Sequence, residues 1–136
     1  GWPVITHGCE YDTCAPIGEG RAKAGLEQPL TWFGPQSVPP SGMAFVTSDR
    51  YPGWRGQLFV GVLSGPGLVR LAVEGDRVVA REPLWLGRHH RVRDVQQGPD
   101  GWLYVAVESP RGAIVRLEPR TLGPWRLPAI PGGPGL

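Results

Sequence analysis

The sequence predicts an all-β fold made of four-stranded antiparallel units, the kind of unit that forms the blades of a β-propeller. Chain breakers are the first observation: 21 glycines and 16 prolines among 136 residues separate short apolar runs, which excludes a long helix, a coiled coil or a helical bundle. The second observation is the strand-like character of those runs, and the third is their repetition. No apolar run reaches the roughly 18 residues that a membrane-spanning helix needs, so no membrane span is predicted.

Four strand-like runs follow one another in the middle of the chain. They lie at residues 43–47, 58–63, 68–74 and 77–81, and turns rich in Gly, Pro, Ser and Asp separate them. Short β-rich runs joined by such turns are typical of an antiparallel meander. None of the runs keeps the apolar period of about 3.6 residues long enough for an amphipathic helix.

The same pattern recurs in the second half of the chain. Residues 56–62 match residues 101–107 at a spacing of 45, and residues 68–71 match residues 114–117 at a spacing of 46. A four-stranded unit that repeats every 40 to 50 residues or so is typical of propeller blades. Two blades cannot close a ring, so we expect further blades from the rest of a longer chain or from self-association.

The repeat divides the chain into four parts. Residues 1–41 lack the periodicity, are rich in Pro and Gly, and are predicted to form a long loop region of the kind that carries active sites. Residues 42–87 are predicted to form one blade, residues 88–126 a last, incomplete blade, and residues 127–136 a flexible tail. We therefore expect about two four-stranded blades preceded by a long N-terminal loop.

The charges argue against a nucleic-acid-binding protein. The net charge is +2, and Lys23 is the only lysine among 14 basic residues. A nucleic-acid interface gathers its basic residues into a patch or stripe, whereas the arginines of this chain are spread along strand-like sequence. Spread arginines favour solvated strand faces, so we expect no nucleic-acid partner.

The two cysteines, Cys9 and Cys14, lie five residues apart in a polar stretch. A structural zinc site needs four ligands, so this pair alone does not predict one. In an oxidising compartment the two thiols could close a small disulfide loop. The spacing leaves open whether they are joined.

Familiar catalytic patterns are missing from the sequence. The chain has three histidines but no G-x-S-x-G elbow, and its Gly-rich turns lie between strands, where they do not form a phosphate cradle. Nothing fixes a catalytic separation between the acidic residues of the N-terminal loop, and loop carboxylates are usually solvated. These acidic residues are Glu10, Asp12, Glu19 and Glu27.

Arg91 and Arg93 are the most informative polar residues. They flank Val92 at strand spacing, so both guanidinium groups leave one face of the strand while Val92 packs on the other. Two such groups, about 7 Å apart along the strand, can hold a di- or tricarboxylate or a phosphate through bidentate hydrogen bonds. The alternative is an ordinary exposed strand face on which Asp94 is the partner of the arginines.

Six short sequence blocks stand in order along the chain: GWPVITHG at 1–8, PIGEG at 16–20, EQPL at 27–30, PSGMAF at 40–45, WRG at 54–56 and RVRDVQQGPDG at 91–101. In this order and spacing they resemble the C-terminal third of the soluble pyrroloquinoline-quinone-dependent sugar dehydrogenases, the glucose/sorbosone and aldose sugar dehydrogenase family. The resemblance covers residue 1 to about residue 119, and the combination of blocks is specific.

The resemblance implies a partial six-bladed β-propeller whose top face holds pyrroloquinoline quinone. In that family a calcium ion polarises the quinone, a histidine base takes the proton from the anomeric hydroxyl, and hydride passes to the quinone. Carried over, Arg91 and Arg93 would bind the cofactor carboxylates and Ser37 would offer it a hydroxyl. Trp32 would stack near the quinone or, equally, serve as a packing aromatic. Some members have a lysine at the place of Ser64, and the absence of that lysine is what we expect in the aldose-type branch.

The implied function is that of a C-terminal piece of a periplasmic or secreted quinoprotein dehydrogenase. Its substrate would be an aldose sugar, oxidised at the anomeric carbon to a lactone, and an external acceptor would take the electrons. The calcium ligands and the base of the family lie before the block at 1–8, so we expect this chain to hold no catalytic residue and no metal ligand. The alternative is a non-catalytic β-propeller module that binds a ligand or a protein.

Overall fold

The computed structural model describes residues 1–34, 38–85 and 91–119 of the chain. In these ranges seven strands form two antiparallel sheets. The same ranges contain no helix, and hence none long and apolar enough to cross a membrane. The all-β prediction and the arrangement in blade-like sheets are therefore confirmed, while the predicted tail at 127–136 lies outside the described residues.

The first sheet has four strands in chain order: β1 at Pro40–Phe45, β2 at Leu58–Val62, β3 at Gly67–Glu74 and β4 at Arg77–Trp85. The second sheet has three described strands: β5 at Val92–Gln97, β6 at Leu103–Val107 and β7 at Ala113–Leu117. The sequence predicts all seven, and the largest difference is at the end of β4. That strand continues to Trp85, beyond the predicted end at residue 81.

The sequence repeat is also a repeat of strand register. Four pairs of residues hold equivalent places in the two sheets: Phe59 and Tyr104, Gly61 and Ala106, Leu68 and Ile114, Arg70 and Arg116. The first member of each pair lies on what we call the covered face of the first sheet. The second member lies on what we call the outer face of the second sheet.

The covered face packs against the second sheet and forms the main core of the described chain. Fully buried side chains fill this interface, with Phe59 and Leu68 contributed by the first sheet and Val92, Val95, Leu103 and Val105 by the second. Burial of one aliphatic or aromatic side chain of this size stabilises a fold by roughly 1.5–3 kcal/mol. The interface therefore fixes how the two sheets sit against each other.

Two glycines allow β5 to lie close to the first sheet. A Cβ atom added to Gly42 would stand 2.7 Å from the Asp94 Cα and 2.8 Å from the Val95 backbone nitrogen. A Cβ atom on Gly61 would stand 2.5 Å from the Val92 Cγ1. Because real Cβ atoms do not approach other atoms so closely, these positions must lack a side chain for β5 to reach its place.

Hydrogen bonds from side chains join the two sheets. The Tyr51 hydroxyl, in the loop after β1, donates to the Leu117 carbonyl at 2.7 Å and accepts from the Leu103 N–H at 2.7 Å. The Ser41 hydroxyl donates to the Val92 carbonyl at 2.7 Å. These bonds satisfy buried polar groups at the interface and hold both ends of the second sheet in register with the first.

The N-terminal region up to residue 34 has no strand of its own, and β1 begins at Pro40, inside the stretch 1–41 that was predicted as a loop. It is nevertheless tied internally by a disulfide between Cys9 and Cys14 and by a backbone bridge between Cys9 and Pro16. Phe33 packs beneath the Arg81 guanidinium of β4, 4.6 Å from the ring centre, and against the buried valines of β2 and β3. The loop thus covers part of the face of the first sheet that is turned away from the second.

Candidate functional site

The two predicted arginines lie where the second sheet begins, close to the first sheet. Val92 is fully buried in the interface between the sheets, whereas the side chains of Arg91 and Arg93 are 50% and 52% exposed. The pairing of β5 with β6 is irregular here, because the register shifts between Val92 and Asp94, so Arg93 lies at a break in the regular alternation of the strand. Both guanidinium groups are nevertheless exposed and close enough to share one partner.

One carboxylate joins the two guanidinium groups. Glu108 Oε1 lies 3.3 Å from Arg91 Nε, and Glu108 Oε2 forms an ion pair with Arg93 Nη2. Strand pairing brings this acid into place, since Val92 pairs with Val107 and the Glu108 N–H donates to the Arg91 carbonyl at 2.8 Å. The three side chains together carry one net positive charge.

Asp94, the partner expected in the alternative interpretation, makes other contacts. Its Oδ1 accepts a hydrogen bond from the Val95 N–H at 2.8 Å and one from Gln96 Nε2 at 3.3 Å. Asp94 also lies against Gly42, where the two sheets approach closely. The arginines therefore have an acidic neighbour, as that interpretation requires, but it is Glu108.

The two arginines keep Glu108 ionised. The hydrogen bond from Arg91, and then that from Arg93, lowers the pKa of the Glu108 carboxyl below its ordinary value. At neutral pH the acid is therefore a permanent anion, and it stays one into mildly acidic solution. The negative charge of Glu108 in this cluster therefore does not change near physiological pH.

Backbone contacts hold Arg91 and the neighbouring segments together. Arg91 Nη1 donates to the Leu63 carbonyl at 3.4 Å, and the Leu63 N–H donates to the Pro39 carbonyl at 3.0 Å. The chain that enters β1 therefore passes close to the arginine cluster. Ser37, the predicted hydroxyl donor, belongs to the stretch just before it but lies outside the described residues.

Trp32, the remaining predicted site residue, is placed elsewhere. Its ring stacks on His7, with centroids 4.1 Å apart and an angle of 18° between the planes, and its carbonyl accepts from Arg81 at 2.8 Å. It borders two cavities of about 310 and 380 Å³ in the N-terminal region, and neither Arg91 nor Arg93 lines them. The described contacts of Trp32 are those of a packing aromatic, and they do not bring it together with the arginine pair.

Metal-binding side chains are not gathered anywhere in the described ranges. No group of three or more His, Cys, Asp or Glu residues there could hold a metal ion. In the described part of the chain, the candidate binding site is therefore the cluster of Arg91, Arg93 and Glu108. His89 and His90, which precede it in sequence, lie outside the described residues.

Glu108 is the site residue that the sequence interpretation missed. The signal was available in the repeat, because Pro40 pairs with Val62 in the first sheet and Val92 pairs with Val107 at the equivalent place. The residue after Val107 must then lie beside the residue before Val92. A search for acids near Arg91 along the chain finds Asp94 instead, since sequence distance hides the pairing.

Comparisons with known proteins agree with this fold. The sequence model of the glucose/sorbosone dehydrogenase family matches residues 1–116. The chain is 38% identical over 121 residues to aldose sugar dehydrogenase YliI of Escherichia coli strain K12, an alignment that covers 88% of this chain and 32% of that protein.

Solved structures give the same result. A crystal structure of glucose dehydrogenase superposes with a TM-score of 0.80 at 41% identity, covering 88% of this chain and 35% of the other. The apo form of the soluble aldose sugar dehydrogenase from Escherichia coli superposes with a TM-score of 0.78 at 38% identity, with the same coverage. This chain spans about a third of the length of these relatives. The match of the family model over residues 1–116 shows that the chain belongs to the glucose/sorbosone dehydrogenase family.

Proposed function

We propose that this chain is part of a quinoprotein sugar dehydrogenase that oxidises the anomeric carbon of an aldose to a lactone. In this proposal Arg91 and Arg93 bind carboxylates of pyrroloquinoline quinone. Family membership supports the oxidoreductase class, and the relatives described above are themselves named as glucose and aldose sugar dehydrogenases. The sugar and the quinone are inferences for this chain.

The observation that carries the proposal is the pair of half-exposed guanidinium groups. Each guanidinium has five N–H donors, and the contacts described above engage Nε and Nη1 of Arg91 and Nη2 of Arg93. In the described part of the chain each fork therefore keeps donors that no partner takes up. Such donors fit a ligand with several carboxylates, which is the chemistry that the quinone cofactor presents.

The proposed role of these residues is electrostatic and positional. Pyrroloquinoline quinone, when bound, supplies a two-electron acceptor for the hydride of the sugar. Arg91 and Arg93 anchor its carboxylates and provide fixed positive charge beside the place where negative charge develops. Charges that are already oriented stabilise such a change without reorganisation. Glu108 leaves this corner with a net positive charge, because it neutralises only one of the two cations.

Base catalysis and calcium binding are proposed to lie in other blades. We assign neither role to a described residue of this chain. As the family resemblance implies, we place both roles in sequence before the block at 1–8. The 136-residue chain alone is then inert toward sugars, even with the quinone and calcium supplied. A longer protein that contains this sequence should reduce a dye with an aldose, the quinone and calcium, whereas a non-catalytic binding module would not.

We also propose that the protein works in the periplasm or outside the cell and passes its electrons to an external acceptor. The disulfide between Cys9 and Cys14 supports this location, because such bonds persist mainly in oxidising compartments. Fractionation of cells that express the native gene, followed by thiol labelling with and without reductant, tests both points. Protein found only in the cytoplasm with two free thiols would contradict the proposal.

The direct test is a titration with pyrroloquinoline quinone of the longer protein that contains this sequence. Arg91→Ala should weaken binding roughly tenfold or more, because a hydrogen bond to a charged partner is lost. Arg116→Ala is the matched control, since Arg116 is also 50% exposed, also paired with an acid, and on the same sheet. Equal affinities of the wild-type and Arg91→Ala chains would remove Arg91 from the site.

A further inference from the structure

Glu108 occupies a particular place in the arginine cluster. Each of its two carboxylate oxygens contacts a different guanidinium, so a single side chain bridges Arg91 and Arg93. The backbone of Glu108 is fixed as well, because its N–H donates to the Arg91 carbonyl at 2.8 Å. The bridge therefore starts from a rigid point of the sheet and ends on both mobile side chains.

Without such a bridge the two guanidinium groups would not hold one separation. Arginine side chains are long, and the two here are about half exposed, so many rotamers are open to them. Like charges on neighbouring places of one face also repel each other. A shared carboxylate opposes both effects, because it attracts the two cations to one point and restricts their rotamers.

We propose that Glu108 is a positioning residue that sets the separation of the Arg91 and Arg93 guanidinium groups and thereby makes the site select anions with two carboxylates over anions with one. The inference rests on the proposed function, which uses these arginines to bind carboxylates. A ligand with one carboxylate needs only one fork and gains nothing from the spacing. A ligand with two carboxylates gains from forks that are already spaced for it, since little rotamer entropy is lost on binding.

This role differs from that of a simple counter-ion. Removal of a simple counter-ion would raise the affinity for every anion, and more for an anion with two charges than for an anion with one, so the ratio would rise. Removal of a positioning residue lowers the ratio of two-carboxylate to one-carboxylate affinity, because only the two-carboxylate ligand senses the separation. A residue needed only for folding would change thermal stability and leave that ratio alone.

The experiment measures this ratio on the longer protein that contains this sequence. Benzoate and isophthalate, which differ by one carboxylate, are titrated while the Nε–H signals of Arg91 and Arg93 are followed by NMR. For Glu108→Gln we expect the preference for isophthalate over benzoate to fall by about twofold to fivefold, which lies within the range measured for coupling within exposed ion pairs. Pyrroloquinoline quinone, titrated in the same way, should lose affinity relative to benzoate in the same variant.

Two further variants sharpen the test. Glu118→Gln removes an acid of similar exposure that pairs with Arg116 on the same sheet, and it should leave the ratio unchanged. Glu108→Asp keeps the negative charge on a side chain that is one methylene shorter. It should lower the ratio as well, since it cannot reach both guanidinium groups, and it serves if the amide variant fails to fold.

The outcomes separate this inference from the proposed function. If isophthalate moves the signals of both arginines but Glu108→Gln leaves the ratio as it was, or raises it, the positioning role of Glu108 is wrong and the proposed function stands. If neither carboxylate nor the quinone perturbs Arg91 or Arg93 in the wild-type longer protein, both ideas fall together. A lowered ratio with Glu118→Gln unchanged supports both.

Discussion

The covered face of the first sheet and the outer face of the second carry the same pattern of residues in different surroundings. Leu68 is fully buried, whereas Ile114, at the equivalent place, is 70% exposed. The first belongs to the core between the two sheets, and no described element packs on the second. A sequence repeat thus predicts where a side chain stands in its sheet, but the neighbouring sheet decides whether it is buried.

The two equivalent arginines show the same difference in charge environment. Arg70 is 2% exposed and donates to Glu82 at 2.8 Å and to Gln57 at 3.2 Å, and it lies 5.3 Å from the centre of the Trp54 ring. Arg116 is half exposed and pairs with Glu118. The buried arginine needs several partners because an unpaired buried charge is costly, while water serves the exposed one.

The largest difference between the two faces should appear on truncation of the aliphatic pair. Leu68→Ala should lower the free energy of unfolding by about 2–5 kcal/mol, because it leaves a cavity in the interface. Ile114→Ala should change it by less than about 0.5 kcal/mol, since no packed contact is lost. Urea denaturation of the two variants measures both values, and similar losses would mean that the outer face is covered in solution.

The acids that pair with the two arginines should differ next. Glu82→Ala leaves Arg70 buried without its carboxylate and should cost about 2 kcal/mol, less than for fully buried pairs because the Glu82 side chain is 34% exposed. Glu118→Ala breaks an exposed pair and should change stability little. Thermal melts at low and high salt compare the two variants. A loss of stability in Glu82→Ala that is as small and as salt-sensitive as that in Glu118→Ala would contradict the burial of Arg70.

The small residues on the two faces give a smaller difference. Gly61→Ala should destabilise the fold by about 1–3 kcal/mol, because its Cβ would overlap the Val92 side chain at 2.5 Å. Ala106→Gly, the reverse change at the equivalent place, should cost only about 0.5–1 kcal/mol through chain entropy. If Gly61→Ala is tolerated without loss of stability, β5 lies farther from the first sheet than described.

The smallest effect concerns the loops that join the first two strands of each sheet. The longer loop of the first sheet carries Tyr51, and burial raises the pKa of its hydroxyl above the ordinary value. Because the protonated form is favoured in the fold, the stabilisation is complete below a pH of about 10 and is lost as pH rises through the raised pKa. Tyr51→Phe should remove part of the alkaline loss of stability that the wild-type chain shows. Unfolding curves taken between neutral and alkaline pH make the comparison.

Local pattern was enough to predict most of the fold. Short apolar runs and turn residues located the seven strands, and the spacing of 45 located the second sheet. The end of β4 was harder because Pro83 is a strand breaker by its usual preference. In the structure β4 is an edge strand, where the missing N–H of proline need not serve a second neighbour, so the strand continues past it.

The site was less accessible to sequence reasoning because it depends on contacts across strands. Alternation alone predicted that Arg91 and Arg93 share a face, whereas Glu108 enters the cluster only through the pairing of β5 with β6. The disulfide was open for a similar reason, since the spacing of Cys9 and Cys14 does not fix the direction of their side chains. The pattern within one strand thus predicts on which face a side chain lies. Prediction of its partners on other strands requires the strand register.

The bond from Ser41 to the Val92 carbonyl has a consequence for ligand binding. It attaches the peptide between the two arginines to the neighbouring sheet, so the backbone that carries the guanidinium groups cannot shift unless the sheets also move apart. Anion affinity and inter-sheet cohesion are therefore thermodynamically linked. A ligand whose carboxylates are held by both guanidinium groups would raise the melting temperature. Any substitution that loosens contact between the sheets would lower the affinity for the ligand, even where the substituted residue does not contact the ligand.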